Sequence, residues 1–360
     1  MMSEYFDEIF APCFFFCSHL FHLVFCSFQH LLIYHPDLTY LSCIADMRET
    51  ANRYFGPATN FFLFGTAAGI GRTIAHPFSV LKIQTESGMP GGRMGIFKGA
   101  YWIYKQEGAG GFVKALPISV ARIVPHVAIQ CTIFNHFTKN MKPVEKPNST
   151  RAVKLFTYGC IGNTIATLIT HPLDVVKTRL LVQPSTLKRQ FYRDTADVFT
   201  KMVKTEGLFS LYRGLLPSII GGCIFSGTMF SAWDICDGLP WRVRGAEPFI
   251  IGESYLLGMI AVSAACFASQ PFDVIRHKVM ASSPRLPNYG YTDAKGLNIL
   301  SLTWNAYKIN GIPGFFHGVV PNLCKVVPQV TCYMLFISVM SNMFKPKLDL
   351  HQSSLSSLIR

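Results

Sequence analysis

The chain has 360 residues, half of them apolar and only 15% charged, with a net charge of +13 and a positive mean hydropathy. So few polar side chains cannot coat two or three soluble cores, which points to a polytopic membrane protein. The cations sit at the ends of apolar segments rather than in aromatic-interleaved basic runs, which argues against a nucleic-acid partner.

The eleven cysteines show neither paired metal spacing nor a secreted disulfide framework. They read as small buried hydrophobes in a reducing compartment.

Residues 1–56 form an apolar extension. From Phe10 to Tyr34 the only polar interruptions are Ser, Gln and the histidines His19, His22 and His30, and the run is long enough to span a bilayer. It has neither the basic flank and cleavage site of a secretory signal nor an arginine-rich amphipathic pattern. Three readings stand: a lipid-seeking extension, a seventh span, or sequence upstream of a start at Met47. The polar Met47-Arg48-Glu49-Thr50 that follows favours the last. No carboxylate or paired cysteine converges on the three histidines, so no metal site is read there.

A first two-span unit occupies residues 57–150. Phe61 to Thr85 is an apolar helix with Gly65, Gly69 and Gly71, small residues that let helices pack closely in lipid. A short amphipathic stretch follows, Gly99 to Gln106, then a second span from about Leu116 to Thr138. The pattern repeats over residues 151–246, with spans Leu155 to Val182 and Leu215 to Cys236 around a stretch near Thr195 to Thr205. It repeats again over 247–345, with Phe249 to Val279, Leu297 to Lys308 and Val319 to Met343. Residues 346–360 form a polar tail.

The first span of each unit ends in one string. It reads His76-Pro77-Phe78-Ser79-Val80-Leu81-Lys82, then His171-Pro172-Leu173-Asp174-Val175-Val176-Lys177, then Gln270-Pro271-Phe272-Asp273-Val274-Ile275-Arg276. The prolines recur at a period of roughly one hundred residues. A second string follows each: Glu107-Gly108 with Lys114-Ala115, Glu206-Gly207 with Arg213-Gly214, and Asn310-Gly311 with His317-Gly318. Three further cations stand inside spans, away from these rings: Arg72, Arg122 and Lys325. A lone cation at membrane depth is costly unless it meets water or an opposite charge, so three of them suggest an anion site. No catalytic pair, phosphate-binding glycine loop or metal-ligand set appears, so neither an enzyme nor a cofactor is expected.

The triplicated Pro-x-acid-x-x-base string, each copy with its second motif, resembles the mitochondrial carrier family over roughly residues 57 to 345. The resemblance implies an all-α membrane protein: three tandem two-span repeats, six transmembrane helices in a pseudo-threefold bundle, with short amphipathic helices on the matrix side. It implies helices kinked at Pro77, Pro172 and Pro271, and a matrix gate of Ser79, Lys82, Asp174, Lys177, Asp273 and Arg276. In that gate Asp174 meets Arg276 and Asp273 meets Lys82, while Ser79 leaves Lys177 without its acid. At the opposite face the matching strings begin at Phe134, Trp233 and Phe336, and only Asp234 keeps an expected charge. That barrier must rely on apolar contacts or hydrogen bonds.

The family's substrate positions fall on Arg122, Gly221, Gly222 and Lys325, with Arg72 beside them. The string from Arg122 to Gln130 is similar to that of the coenzyme A and adenine-nucleotide branch, and the glycine pair is expected to leave room for a flat adenine ring. The resemblance thus implies a monomeric inner-membrane carrier of a small phosphorylated, adenine-containing anion, with cardiolipin as a lipid partner. The alternatives are a carboxylate or inorganic anion, or a carrier-derived scaffold or insertase without transport.

Overall fold

The computed structural model describes residues 57–89, 95–138, 149–183, 191–237, 250–283 and 299–332. The apolar run at 10–34, the Phe336 string and the polar tail lie outside them. The described residues are helical throughout: α1 Pro57–Ile74, α2 His76–Ser87, α3 Ile96–Glu107, α4 Leu116–Thr138, α5 Ser149–Val182, α6 Thr195–Glu206, α7 Leu215–Asp237, α8 Ile250–Ala281 and α9 Ile299–Asn310, with a tenth helix, α10, over residues 319–332. Among the described residues, four stretches are long and apolar enough to cross a membrane: Ala109–Thr138, Thr150–Val182, Leu208–Ala232 and Gly258–Ala281.

Polarity is arranged as lipid demands. Ile70, Ile165, Leu168, Ile169, Ile260 and Phe267 are exposed on the outer faces, while Arg72, Lys82, Glu86, Asn163, Asp174, Lys177, Gln270 and Asp273 are buried. In water this would be an inverted protein. In a bilayer, lipid tails are as apolar as leucine, so the interior is free to hold the polar groups.

Helix α1 packs on α4, α4 on α5, α5 on α7 and α7 on α8. Helix α10 reaches both ends of this series. The Asn322 amide donates to Gln270 Oε1 at 3.2 Å, and a Cβ on Gly71 of α1 would lie 2.9 Å from the Gln329 carbonyl. Helices α2, α5 and α8 also pack on one another, drawing the three proline strings to one end.

The prolines behave unequally. Each removes one bond from the helical ladder, yet α5 and α8 continue through Pro172 and Pro271. Only the first span is interrupted: Ala75 separates α1 from α2, with Pro77 in the first turn of the new helix, where its missing N–H is not needed.

The residue before each proline has a common task. His76 Nε2 donates to the Lys114 carbonyl at 2.9 Å, His171 Nε2 to the Arg213 carbonyl at 3.2 Å, and Gln270 Nε2 to the His317 carbonyl at 3.1 Å. Each bond ties a unit's first span to the start of its second. The nearby glycines explain the second motif. Gly108, Gly207 and Gly311 end α3, α6 and α9 with φ of 68°, 85° and 63° and ψ near the fully extended value, a region essentially reserved for glycine.

The last residue of the motif is Ala115 with φ 59° in the first unit, but Gly214 and Gly318 in the others. At Gly318, with φ 95°, an added Cβ would also lie 2.7 Å from Cγ of Glu86. Gly318→Ala will therefore lower the melting temperature of the purified protein. The left-handed backbone costs about 1–2 kcal/mol, before Glu86 is displaced. An unchanged melting curve would refute the contact.

The short helices α3, α6 and α9 each bury one face, through Ala100 and Ile103, Val198 and Met202, and Leu302 and Ala306. Their other faces expose Tyr101, Tyr104, Phe199, Trp304 and Tyr307, the amphipathic aromatics of a membrane interface. Arg179, at the end of α5, clamps α6 through a bidentate pair with Glu206, at 2.5 and 2.8 Å. Burial works to raise the Glu206 carboxyl, but the Arg179 hydrogen bonds and charge outweigh it and hold the group below its ordinary range.

A carboxyl depressed on folding contributes stability above its unfolded pKa, and that contribution is lost as pH falls through the folded value. The melting temperature will therefore drop as pH is lowered from about 5, past the ordinary glutamate value near 4.3. Glu206→Gln will flatten that part of the profile. Equal acid sensitivity in the variant would assign it to other groups.

Candidate functional site

The end where α2, α5 and α8 meet carries the charged ring. Lys82 Nζ lies 2.7 Å from Asp273 Oδ2, across the seam between the first and third units. The expected meeting of Asp174 with Arg276 is replaced by a different arrangement. Asp174 Oδ1 is 2.7 Å from Lys177 Nζ on its own helix, its Oδ2 is 3.5 Å from Arg122 Nη2, and Arg276 Nε stands 3.2 Å from Asp273 Oδ1. Ser79 supplies no acid to this ring; its hydroxyl donates to the Ala75 carbonyl, 3.1 Å away. With no acid at 79, Lys177 turns to Asp174, and Arg276 shares Asp273 with Lys82.

Of the three cations expected to bind an anion, Arg72 is the one near both of the others, Arg122 and Lys325. Arg122 is not the unpaired cation that its sequence context suggests, because it reaches Asp174. Its Nε and that of Arg72 are buried without a hydrogen-bond acceptor. Neither Arg72 nor Lys325 has an ion pair or hydrogen bond among the described residues. Donors left unmet in a buried place are costly unless something arrives to accept from them. An anion with several oxygens can do so.

The glycine pair corrects an expectation. A Cβ on Gly221 would lie 2.8 Å from Cβ of Phe272 on α8, and one on Gly222 would lie 2.3 Å from the Asn163 amide nitrogen on α5. The space beside the pair is filled by neighbouring helices, so these glycines permit close packing and do not open a slot for a ring. What the pair admits instead is Asn163, nearly fully buried, whose Nδ2 has no acceptor. Nothing in the spacing of the sequence distinguishes a glycine that leaves room from one that is packed against.

Toward the opposite end, Phe134 of α4 stacks on Phe230 of α7 with centroids 3.8 Å apart. One turn deeper, Gln130 Nε2 donates to Ser226 Oγ at 2.8 Å. Among the described residues, α4 and α7 meet here through stacked rings and a neutral hydrogen bond. Among the described residues no cluster of His, Cys, Asp or Glu could hold a metal ion.

The sequence was compared with known proteins. Solute carrier family 25 member 43 of Danio rerio is 26% identical over 264 residues, covering 73% of this chain and 75% of that protein. The adenine nucleotide transporter BT1, chloroplastic/mitochondrial, of Arabidopsis thaliana is 28% identical over 276 residues, or 76% of this chain and 67% of the relative. The mitochondrial adenyl nucleotide antiporter SLC25A24 of Homo sapiens is 27% identical over 270 residues. These cover 74% of this chain but 54% of the human protein, so the chain spans about half of that relative's length. The family model for mitochondrial carrier protein matches residues 55–144, 148–240 and 248–348. With all three units matched, the chain belongs to the mitochondrial carrier family.

Proposed function

We propose that this chain carries a phosphorylated, adenine-containing anion, of the adenine-nucleotide or coenzyme A type, across the inner mitochondrial membrane by alternating access. The family makes the chain a transporter of small anionic metabolites rather than an enzyme. The bundle is taken as six spans in pseudo-threefold order around a central cavity. The observation that carries the reading is the placing of Arg72 near both Arg122 and Lys325, two of the three without partners among the described residues. Phosphate oxygens accept charge-assisted hydrogen bonds from such groups, and these are roughly twice as strong as neutral ones.

The names of the Arabidopsis and human relatives, both adenine-nucleotide transporters, support the adenine part. The ion pairs around Lys82, Asp174 and Asp273 form the matrix gate, and the Phe134–Phe230 stack belongs to the opposite barrier.

The test is uptake of labelled ATP, ADP and coenzyme A into liposomes holding the purified full chain, against labelled malate and inorganic phosphate. Saturable uptake of the adenine compounds supports the proposal. Movement of malate or phosphate alone makes the substrate a small carboxylate or inorganic anion. No uptake of any of them turns the reading toward a scaffold or insertase.

A further inference from the structure

Glu86 has no role in the arrangement described so far. It is fully buried near the end of α2, and its neighbours beyond its own helix come from the third unit. Oε1 accepts from Gln270 Nε2 at 2.8 Å, Oε2 is bonded by His277 Nδ1, and Gly318 makes room for its Cγ. On its own helix, Oε1 lies 3.7 Å from Lys82 Nζ.

The other two units show how unusual this is. The residue nine places after the signature proline is Leu181 in the second unit and Met280 in the third. Leu181 lies in one apolar cluster with Ala115 of the first unit. Met280 approaches Gly214 of the second unit, where an added Cβ would lie 3.3 Å from its Cγ. At this position the two seams thus carry an apolar side chain set against the preceding unit, and their polar bonds run to that residue's backbone carbonyl, from Gln84 Nε2 to Leu181 and from Arg179 Nε to Met280. The third seam holds a carboxylate in the same place. A buried charge is expensive unless paired and hydrogen-bonded, so a carboxylate at this seam calls for a reason.

The charge balance supplies one. The gate has three cations, Lys82, Lys177 and Arg276, but Ser79 reduces its acids to Asp174 and Asp273. We infer that Glu86 is a third gate carboxylate, which makes up the ring's acid count from the first–third seam where Ser79 supplies none at the first–second, and latches the first unit to the third. Adding it makes three acids for three cations. Lys82 then stands between Asp273 and Glu86, which leaves Asp273 able to serve Arg276 as well. His277 and Gln270 extend the latch, because parting α2 from α8 would strip the carboxylate of both donors.

This inference rests on the alternating-access reading, but it can be tested without any substrate. Cys266 of α8 is buried and within electrostatic reach of Lys82, Asp273, Glu86 and Lys325. It is thus a native reporter of the seam. The full chain in detergent is treated with a water-soluble maleimide, and the rate of Cys266 labelling is followed by mass spectrometry.

Glu86→Gln keeps the shape and removes the charge, and it will speed labelling by about tenfold, the effect of losing one charge-assisted bond from the closed state. Ser79→Asp combined with Glu86→Gln will return labelling toward the parent rate, since an acid at 79 takes Lys177, frees Asp174 for Arg276 and leaves Asp273 wholly to Lys82. If Glu86→Gln alone does not fold, the double variant still decides: it must fold and label slowly. Parent-like labelling of Glu86→Gln, or no recovery in the double variant, overturns the inference. Failure of ATP uptake by the parent chain would remove the proposed substrate and leave the labelling result standing.

Discussion

Arg72→Ala and Lys325→Ala will each reduce apparent affinity for ATP by ten- to a hundredfold while leaving the melting temperature unchanged or slightly raised. A hydrogen bond to a charged group contributes about 1.5–3 kcal/mol, and each factor of ten corresponds to about 1.4 kcal/mol. Neither side chain has a partner among the described residues that its removal would orphan, so folding loses nothing by the change. Arg122→Ala differs. It takes one cation from Asp174, which keeps Lys177 at 2.7 Å, so both transport and stability will fall. The measurements are concentration-dependent uptake in liposomes and thermal unfolding of the same preparations. Parent-like uptake by both Arg72→Ala and Lys325→Ala would remove the anion site.

Asp273→Lys will abolish transport. It places a third cation beside Lys82 and Arg276 in a buried ring, and breaking such a pair from one side costs about 3–5 kcal/mol. Adding Lys82→Asp exchanges the signs and restores the attraction across the seam. Recovery will be partial, because an aspartate at position 82 stands near Glu86, which Lys82 now approaches to 3.7 Å. Uptake by the single and double variants, at matched amounts of folded protein, gives the comparison. A double variant no better than Asp273→Lys would mean that the two residues do not act as partners.

Much of the fold was legible because it is written three times. Pro77, Pro172 and Pro271 keep their period, and each has its glycine motif behind it. Arg72, Arg122 and Lys325 stood out because charge inside an apolar run is rare for a physical reason. The partners were less legible. Spacing places Asp174 on a helix face, but it does not say that the loss of an acid at 79 turns that carboxylate toward Lys177 and Arg122. Gly222 shows a different gap, since one letter describes both an empty place and one filled by Asn163. Glu86 was missed because an acid close to a loop looks solvated. Its burial depends on Gln270, His277 and Gly318, all more than 180 residues away in the chain.

The bonds from His76, His171 and Gln270 to the carbonyls of Lys114, Arg213 and His317 have a mechanical consequence. Each joins two spans of one unit at the level where the proline has weakened the helix, so a unit turns as a single lever. Compliance is then confined to the joints between levers, and the work of opening is done there. Those joints are not equivalent: nine residues after the proline two of them carry an apolar side chain, Leu181 or Met280, and the third carries Glu86. In the proposed alternating-access cycle the three levers therefore need not start to move together.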